Sequence, residues 1–203
     1  DLHHARVFVT VLGSETEQKK TVEGLKSAAS YARRALSKRL LLEGHRVVLY
    51  SRGEHAQAAA SDELHHHEGL RCFIGDVRDY RRLTRALHGV NYVVHAAALK
   101  RVEVGEYNPI EMARTNVEGT VNVLEACHEA AVYRAVLVSS DKAVAPVNAY
   151  GATKMLAERL FRASPPPTDC RVARYGNVMG STGSVVERWR TRPGEAVITA
   201  PDC

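Results

Sequence analysis

Short runs of β-branched residues, each followed by a segment with helical spacing, constrain this chain more than any other feature. Arg6–Val11 (RVFVTV), Arg46–Ser51 (RVVLYS), Leu70–Gly75 (LRCFIG), Asn91–His95 (NYVVH), Arg134–Ser139 (RAVLVS) and Cys170–Tyr175 (CRVARY) each read as a short buried strand. Between the first two lie Val22, Leu25, Ala29, Ala32, Leu36 and Leu40, three and four apart, in an amphipathic helix closed by Gly44. Asp79 can cap a helix over Tyr80–Leu87. Asn108-Pro109-Ile110-Glu111 predicts a capping box opening a helix to about Ala131, with Met112, Val117, Val121, Leu124 and Cys127 or His128 turned inward. Strands that alternate with helices need crossover connections. The expected class is therefore α/β, a right-handed, doubly wound, mostly parallel sheet.

At 203 residues the chain suits one such domain. It has no apolar run long enough to span a membrane, and its start, DLHHARVFVT, has no signal-peptide shape, so a soluble cytoplasmic protein is expected. Cys72, Cys127, Cys170 and Cys203 are scattered without a C-x-x-C pair, as in a reducing compartment. The 28 basic residues exceed the 23 acidic ones, but no aromatics interleave with them, so nucleic acid is not the expected partner. Anionic small molecules such as nucleotides explain the excess equally well. His55 and His65-His66-His67 fall in a polar, alanine-rich connector without a Cys, Asp or Glu at ligand spacing, so no metal is expected there. Pro165-Pro166-Pro167 reads as a rigid surface connector.

The residues that carry chemistry gather at the ends of the predicted strands. Ser139-Ser140-Asp141-Lys142 closes the Arg134 strand, and Tyr150 and Lys154 follow at i and i+4, on one helix face. A lysine ammonium near the phenol would pull its pKa from about 10 toward working pH, making Tyr150 a general base. Arg52, directly after Ser51, suits a ribose 2′-phosphate, which points to NADP over NAD; a plain surface arginine is the alternative. Asp76, in Asp76-Val77-Arg78-Asp79, could hydrogen-bond an adenine or serve a helix cap. Ala96-Ala97-Ala98 lets a flat ligand, or a tightly packed helix, approach the backbone. Asn116 lies mid-helix, reaching into a site or pointing to water. Gly176-Asn177 through Gly183-Ser184 forms a glycine-rich loop suited to a ligand.

These residues resemble the extended short-chain dehydrogenase/reductase superfamily and, within it, the UDP-N-acetylglucosamine 4,6-dehydratases, especially the soluble C5-inverting type. The resemblance rests on YSR (50–52), FIGDVRD (73–79), HAAALKRV (95–102), TNVEGTVNVLEA (115–126), SSDKAVAPVNAYGATK (139–154) and RYGNVMGSTGSVV (174–186). The Asp141-Lys142 pair separates the chain from most sugar-nucleotide epimerases and from the glucose dehydratases. What the resemblance implies is a Rossmann-like NAD(P)-binding domain acting on a UDP-sugar. Tyr150 and Lys154 would deprotonate the sugar C4 hydroxyl beside Ser140 while NADP takes the hydride. Lys142 would remove the C5 proton, Asp141 would protonate the departing C6 oxygen, and the hydride would return to C6. Lys100, Asn177 and Ser184 would lie near the substrate. Gly13, Ser51, Arg52, Asp76, Val77, Ala96, Ala97, Ala98, Asn116, Ser139 and Tyr175 would line the cofactor cleft with Tyr150 and Lys154.

The chain departs from that pattern twice. Thr10 is followed by Val11-Leu12-Gly13-Ser14 and an atypical insertion over about residues 14–29, where the family has T-G-G-T-G-S-x-G. Side chains at the later glycine positions would crowd a pyrophosphate. The family's substrate lobe is also expected to be truncated after about residue 195. Three readings stand: a dehydratase, another NADP-dependent epimerase or reductase, or a non-catalytic remnant of the fold. Helix faces at 108–131 and 149–162 could pair a homo-oligomer or bury against the sheet.

Overall fold

The computed structural model of this protein describes residues 28–176, with side chains from residue 35 onward. The chain divides into two compact units, and the elements below belong to Ser37–Asn177, apart from the first turns of α1. The predicted strand Arg6–Val11, Gly13, most of the insertion, Asn177 and Ser184 lie outside the described residues.

Helix α1 (Ala28–Leu42) ends where the sequence predicts. Gly44 takes φ +81°, and the amides of Gly44 and His45 return to the carbonyls of Leu41 and Leu40. Strands β1 (Val47–Ser51) and β2 (Leu70–Ile74) pair in parallel, Val47 opposite Leu70. Between them lies α2 (Glu54–Glu63), which corrects the expected connector. It shows no apolar stripe because its buried contacts are Ala60 and a polar residue, Gln57. The Gln57 amide donates to the carbonyls of Ser51 and Phe73 at 3.1 and 3.0 Å and so ties β1 to β2. His65, His66 and His67 follow in the turn, where His66 meets Asp62 and Ser61. Helix α3 (Tyr80–Leu87) is capped by Asp79, which accepts from the Arg82 amide at 2.9 Å, as the sequence predicts.

Strands β3 (Tyr92–His95), β4 (Arg134–Ser140) and β5 (Asp169–Tyr175) form a second sheet, β4 in the middle and both pairings parallel. The predicted 108–131 helix exists but is interrupted. It comprises α5 (Pro109–Ala113), a π-helical turn over Arg114–Glu118, and α6 (Gly119–Glu129). The wide turn shifts the inward face, so that Thr115, Asn116, Thr120 and Val123 are buried while Val117 and Val121 are only half-buried. The expected capping box is absent. A further helix, α4 (Val102–Tyr107), precedes Asn108, whose side chain donates back to the Val104 carbonyl at 2.9 Å. Glu111 pairs instead with Arg78 and Arg114.

Helices α6 and α7 (Ala149–Ala163) pack on this sheet. Leu137, Ala135, Cys127, Val123, Ala157 and Phe161 form the centre of the core, together with Leu83, Leu87 and Val77. Burying one such large side chain is worth roughly 1.5–3 kcal/mol. Cys127 is enclosed there, and burial pushes its thiol up to about 12, so it acts as packing. Among the described residues no helix is long and apolar enough to cross a membrane.

Candidate active site

Strand β4 delivers Ser139 and Ser140 to its C-terminal end, and one 3₁₀ turn, Asp141–Ala143, follows. Ser140 caps that turn and its hydroxyl donates to Asp141 Oδ1 at 2.8 Å. The same oxygen accepts from the backbone amide of Lys142 at 2.9 Å and from its Nζ at 3.3 Å. The Ser140 hydrogen bond, followed by those of Lys142, outweighs desolvation and holds the Asp141 carboxyl below its ordinary range. Asp141 and Lys142 thus form a compact zwitterion beside a serine.

Helix α7 is docked onto that turn. Asn148 caps it by accepting from the Gly151 amide at 2.8 Å, and Glu106 of α4 accepts from the Ala149 amide at 2.8 Å. Gly151 lies so close under the Lys142 carbonyl that a Cβ at this position would overlap it. The absence of a side chain there brings Tyr150 beside Ser140 and Asp141.

Tyr150 and Lys154 share one buried face of α7, as their spacing predicts. Their electrostatics correct the expectation. Burial, then the nearby Tyr175, pushes the Tyr150 phenol above its ordinary value, and only the hydrogen bond with Ser140 works the other way. Lys154 Nζ donates to the Val138 carbonyl at 2.7 Å, and burial lowers its pKa to about 8. A spacing argument counts the ammonium's attraction but not the cost of removing both groups from water.

Behind this pair, His95 at the end of β3 stacks on Phe161, with 6.2 Å between ring centres. Its Nε2 lies 3.0 Å from Thr120 Oγ1, whose own proton goes to the Asn116 carbonyl at 2.6 Å. Nε2 therefore carries the hydrogen. Complete burial, with Lys154 nearby, lowers the imidazole to about 3 and keeps it neutral. Asn116, carried inward by the π-helical turn, is 2% exposed. It accepts from the Leu99 amide at 2.8 Å and donates to the Leu99 carbonyl and to Thr153 Oγ1, both at 3.0 Å. Asn116 thereby fixes the loop that holds Ala96, Ala97, Ala98 and the exposed Lys100.

The ends of β1 and β2 make a second cluster. Arg52 approaches Asp76 at 3.5 Å, and Arg78 donates to Asp76 from its amide and its guanidinium. Burial alone would raise the Asp76 carboxyl, but the Arg78 hydrogen bonds and the charges of Arg52 and Arg78 together lower it. The Ser51 hydroxyl accepts from Gln57 at 3.1 Å. Val77 sends its side chain into the core against Gly119, where a Cβ would lie 2.7 Å away, so any role toward a ligand falls to its backbone. Tyr175 is half-exposed at the end of β5. Sequence reasoning missed Glu106, Gln57 and Glu158, each a polar side chain acting across elements far apart in the chain.

The residues at the β4 end fit a nicotinamide nucleotide. The buried Lys154 ammonium carries three donors and spends one on Val138, leaving others for a ribose diol, and the Ala96–Ala98 loop has no side chain beyond Cβ to obstruct a flat ring.

A family described as polysaccharide biosynthesis protein matches residues 27–201. The inverting UDP-N-acetylglucosamine 4,6-dehydratase of Campylobacter jejuni is 46% identical over 156 residues, which are 73% of this chain and 46% of that protein. The UDP-glucose 4-epimerase of Rickettsia massiliae is 50% identical over 122 residues, 58% of this chain and 36% of that protein. The chain thus spans less than half the length of these relatives. Among solved structures, Pen from Bacillus thuringiensis is 37% identical with a TM-score of 0.76, covering 85% of this chain and 54% of that one. DesIV, a dTDP-glucose 4,6-dehydratase from Streptomyces venezuelae solved with NAD and TYD bound, is 25% identical with a TM-score of 0.61, covering 74% and 53%. The fold is Rossmann-like α/β, as the strand pattern predicts.

Proposed function

The chain belongs to the polysaccharide biosynthesis protein family, and from that premise we propose that it carries the catalytic half of a UDP-N-acetylhexosamine 4,6-dehydratase. The observation that carries this reading is the seating of the Ser140–Asp141–Lys142 turn on the helix of Tyr150 and Lys154, through Gly151. An acid, a base and a phenol are thereby held around one point, as oxidation at C4 and elimination across C5 and C6 require.

A nicotinamide cofactor held by Lys154 and Tyr150 supplies hydride acceptance and return. Tyr150 takes the proton of the C4 hydroxyl, with the Ser140 hydroxyl beside it. This step needs the Lys154 ammonium drawn from the Val138 carbonyl toward the phenol, because burial alone disfavours the phenolate. With substrate in place the Lys142 ammonium passes a proton to the Asp141 carboxylate it already contacts, and the neutral Lys142 amine then removes the C5 proton, made acidic by the 4-ketone. Asp141 delivers a proton to the departing C6 oxygen, once substrate has displaced the Ser140 and Lys142 donors that keep it ionised. Each such transfer contributes ~10²–10⁴-fold. Arg52 favours NADP, with Asp76 as the group a 2′-phosphate displaces. Substrate binding falls to Lys100, Asn177 and Ser184. The mixed charge, the scattered cysteines and a nucleotide-sugar substrate support a cytoplasmic site of action, without nucleic acid or metal.

The test is incubation of the chain with NADP and UDP-N-acetylglucosamine, with a 4-keto-6-deoxy sugar as the expected product. Lys142→Ala should abolish solvent-deuterium exchange at C5 and leave NADP binding intact; equal loss of both would remove Lys142 from its role. A second reading is a 4-epimerase, favoured by the Rickettsia massiliae relative. A C4 epimer formed without loss of water would select it.

A further inference from the structure

We propose that Glu158 is a positioning residue that maintains the positive charge of Lys154, and that Arg174 moderates its effect from β5. The inference takes the catalytic part of Lys154 from the function proposed above. Glu158 stands one turn beyond Lys154 on α7, and both are 4% exposed. A carboxylate so buried needs partners. Arg174 meets both of its oxygens, at 2.9 and 2.5 Å, and Arg162 approaches at 3.6 Å. The Arg174 hydrogen bonds lead in holding the Glu158 carboxyl below its ordinary range, so it is an anion.

A buried ion pair seldom stabilises more than apolar residues of the same volume would. Its location gives it a use. Lys154 is faced by Glu158 along its own helix and from β3 by His95, which is neutral. Tyr150 on α7, and Asp141 after β4 and Tyr175 on β5 near it, are titratable groups beside this face, and Lys142 and Glu106 sit on the turn and on α4 packed against the helix. Burial drives the ammonium toward neutrality and Glu158 opposes it. A neutral amine would lose a donor for ribose and its field on the Tyr150 phenol. Arg174 shares the Glu158 carboxylate, so the anion holds the proton on Lys154 without locking the ammonium into a direct salt bridge.

Competitive acylation of Lys154 with acetic anhydride between about pH 6 and 11 on the cofactor-free 203-residue chain reads its titration directly. Glu158→Gln should move the half-titration down by about one pH unit from its value of about 8, a roughly fivefold rise in the neutral fraction at pH 7. Arg174→Met, which leaves the carboxylate undivided, should move it up, and Arg174→Lys should return it toward the original value. A merely structural role predicts no shift or two shifts of one sign, and either overturns the proposal. If Glu158→Gln does not fold, the Arg174→Met and Arg174→Lys pair decides alone. Because the titration needs no turnover, opposite shifts in a chain that forms no keto sugar would end the dehydratase reading and uphold this one.

Discussion

Behind the partly exposed Asp141–Lys142 pair at the end of β4 lies a set of polar side chains that are buried and bonded to the protein, whereas at the end of β1 the charged groups stand partly in water and pair with one another. Lys154, Glu158, Asn116 and His95 are almost fully enclosed, and each has a named partner on another element. Arg52, Asp76 and Arg78 keep 54%, 21% and 36% of their side chains exposed and are joined by ion pairs that salt screens. Under the proposed function the difference separates two tasks. Chemistry needs charges held at fixed places in a low dielectric, where each misplacement is costly. Selection among nucleotides needs an arginine free to exchange one anion for another.

The largest effect that would sharpen this contrast lies at His95. Its imidazole titrates near 3 when folded and about 6.5 when unfolded, so the unfolded chain takes up the proton first. Stability from this residue is complete above about pH 6.5 and is lost as pH falls toward about 3, on the order of 4 kcal/mol. His95→Gln should flatten urea-unfolding stability across that window, and an unchanged pH profile would show that the site is wet. Gly151→Ala comes next. The added methyl meets the Lys142 carbonyl and Pro146, so a loss of about 1–3 kcal/mol is expected, with turnover falling further than NADP affinity. Asn148→Ala should cost about 1 kcal/mol in denaturant titrations by freeing the Gly151 amide. The smallest stability changes belong to the β1 end. Arg52→Asp should leave the melting temperature nearly unchanged while weakening NADP far more than NAD in calorimetry. A large stability loss there would break the comparison.

Strands β1 to β5 were legible to within a residue or two because short β-branched runs bounded by turn residues have few other uses in a chain of this composition. Tyr150 and Lys154 were legible for the same local reason, since helical spacing fixes a shared face. What escaped was tertiary. Helix α2 carries no apolar period because its inward contact is Gln57, a side chain whose burial makes sense only once two strands present their carbonyls to it. The cap at Asn108 depended on α4, which turns that side chain backward. The π-helical turn leaves no mark in the spacing of Met112, Val117 and Val121, yet it decides that Asn116 points inward. The direction of the Tyr150 shift rests on burial, which no spacing reports.

Asn116 also stands in for a length of peptide. Its amide offers Leu99 one acceptor and one donor, the same pair a neighbouring strand would present, so the loop after β3 is hydrogen-bonded to a side chain as if to a sheet. Because Asn116 engages Leu99 only at its main chain, the anchor itself does not depend on the Leu99 side chain. The exposed Lys100 beside that anchor can therefore change without moving the point at which the loop is held.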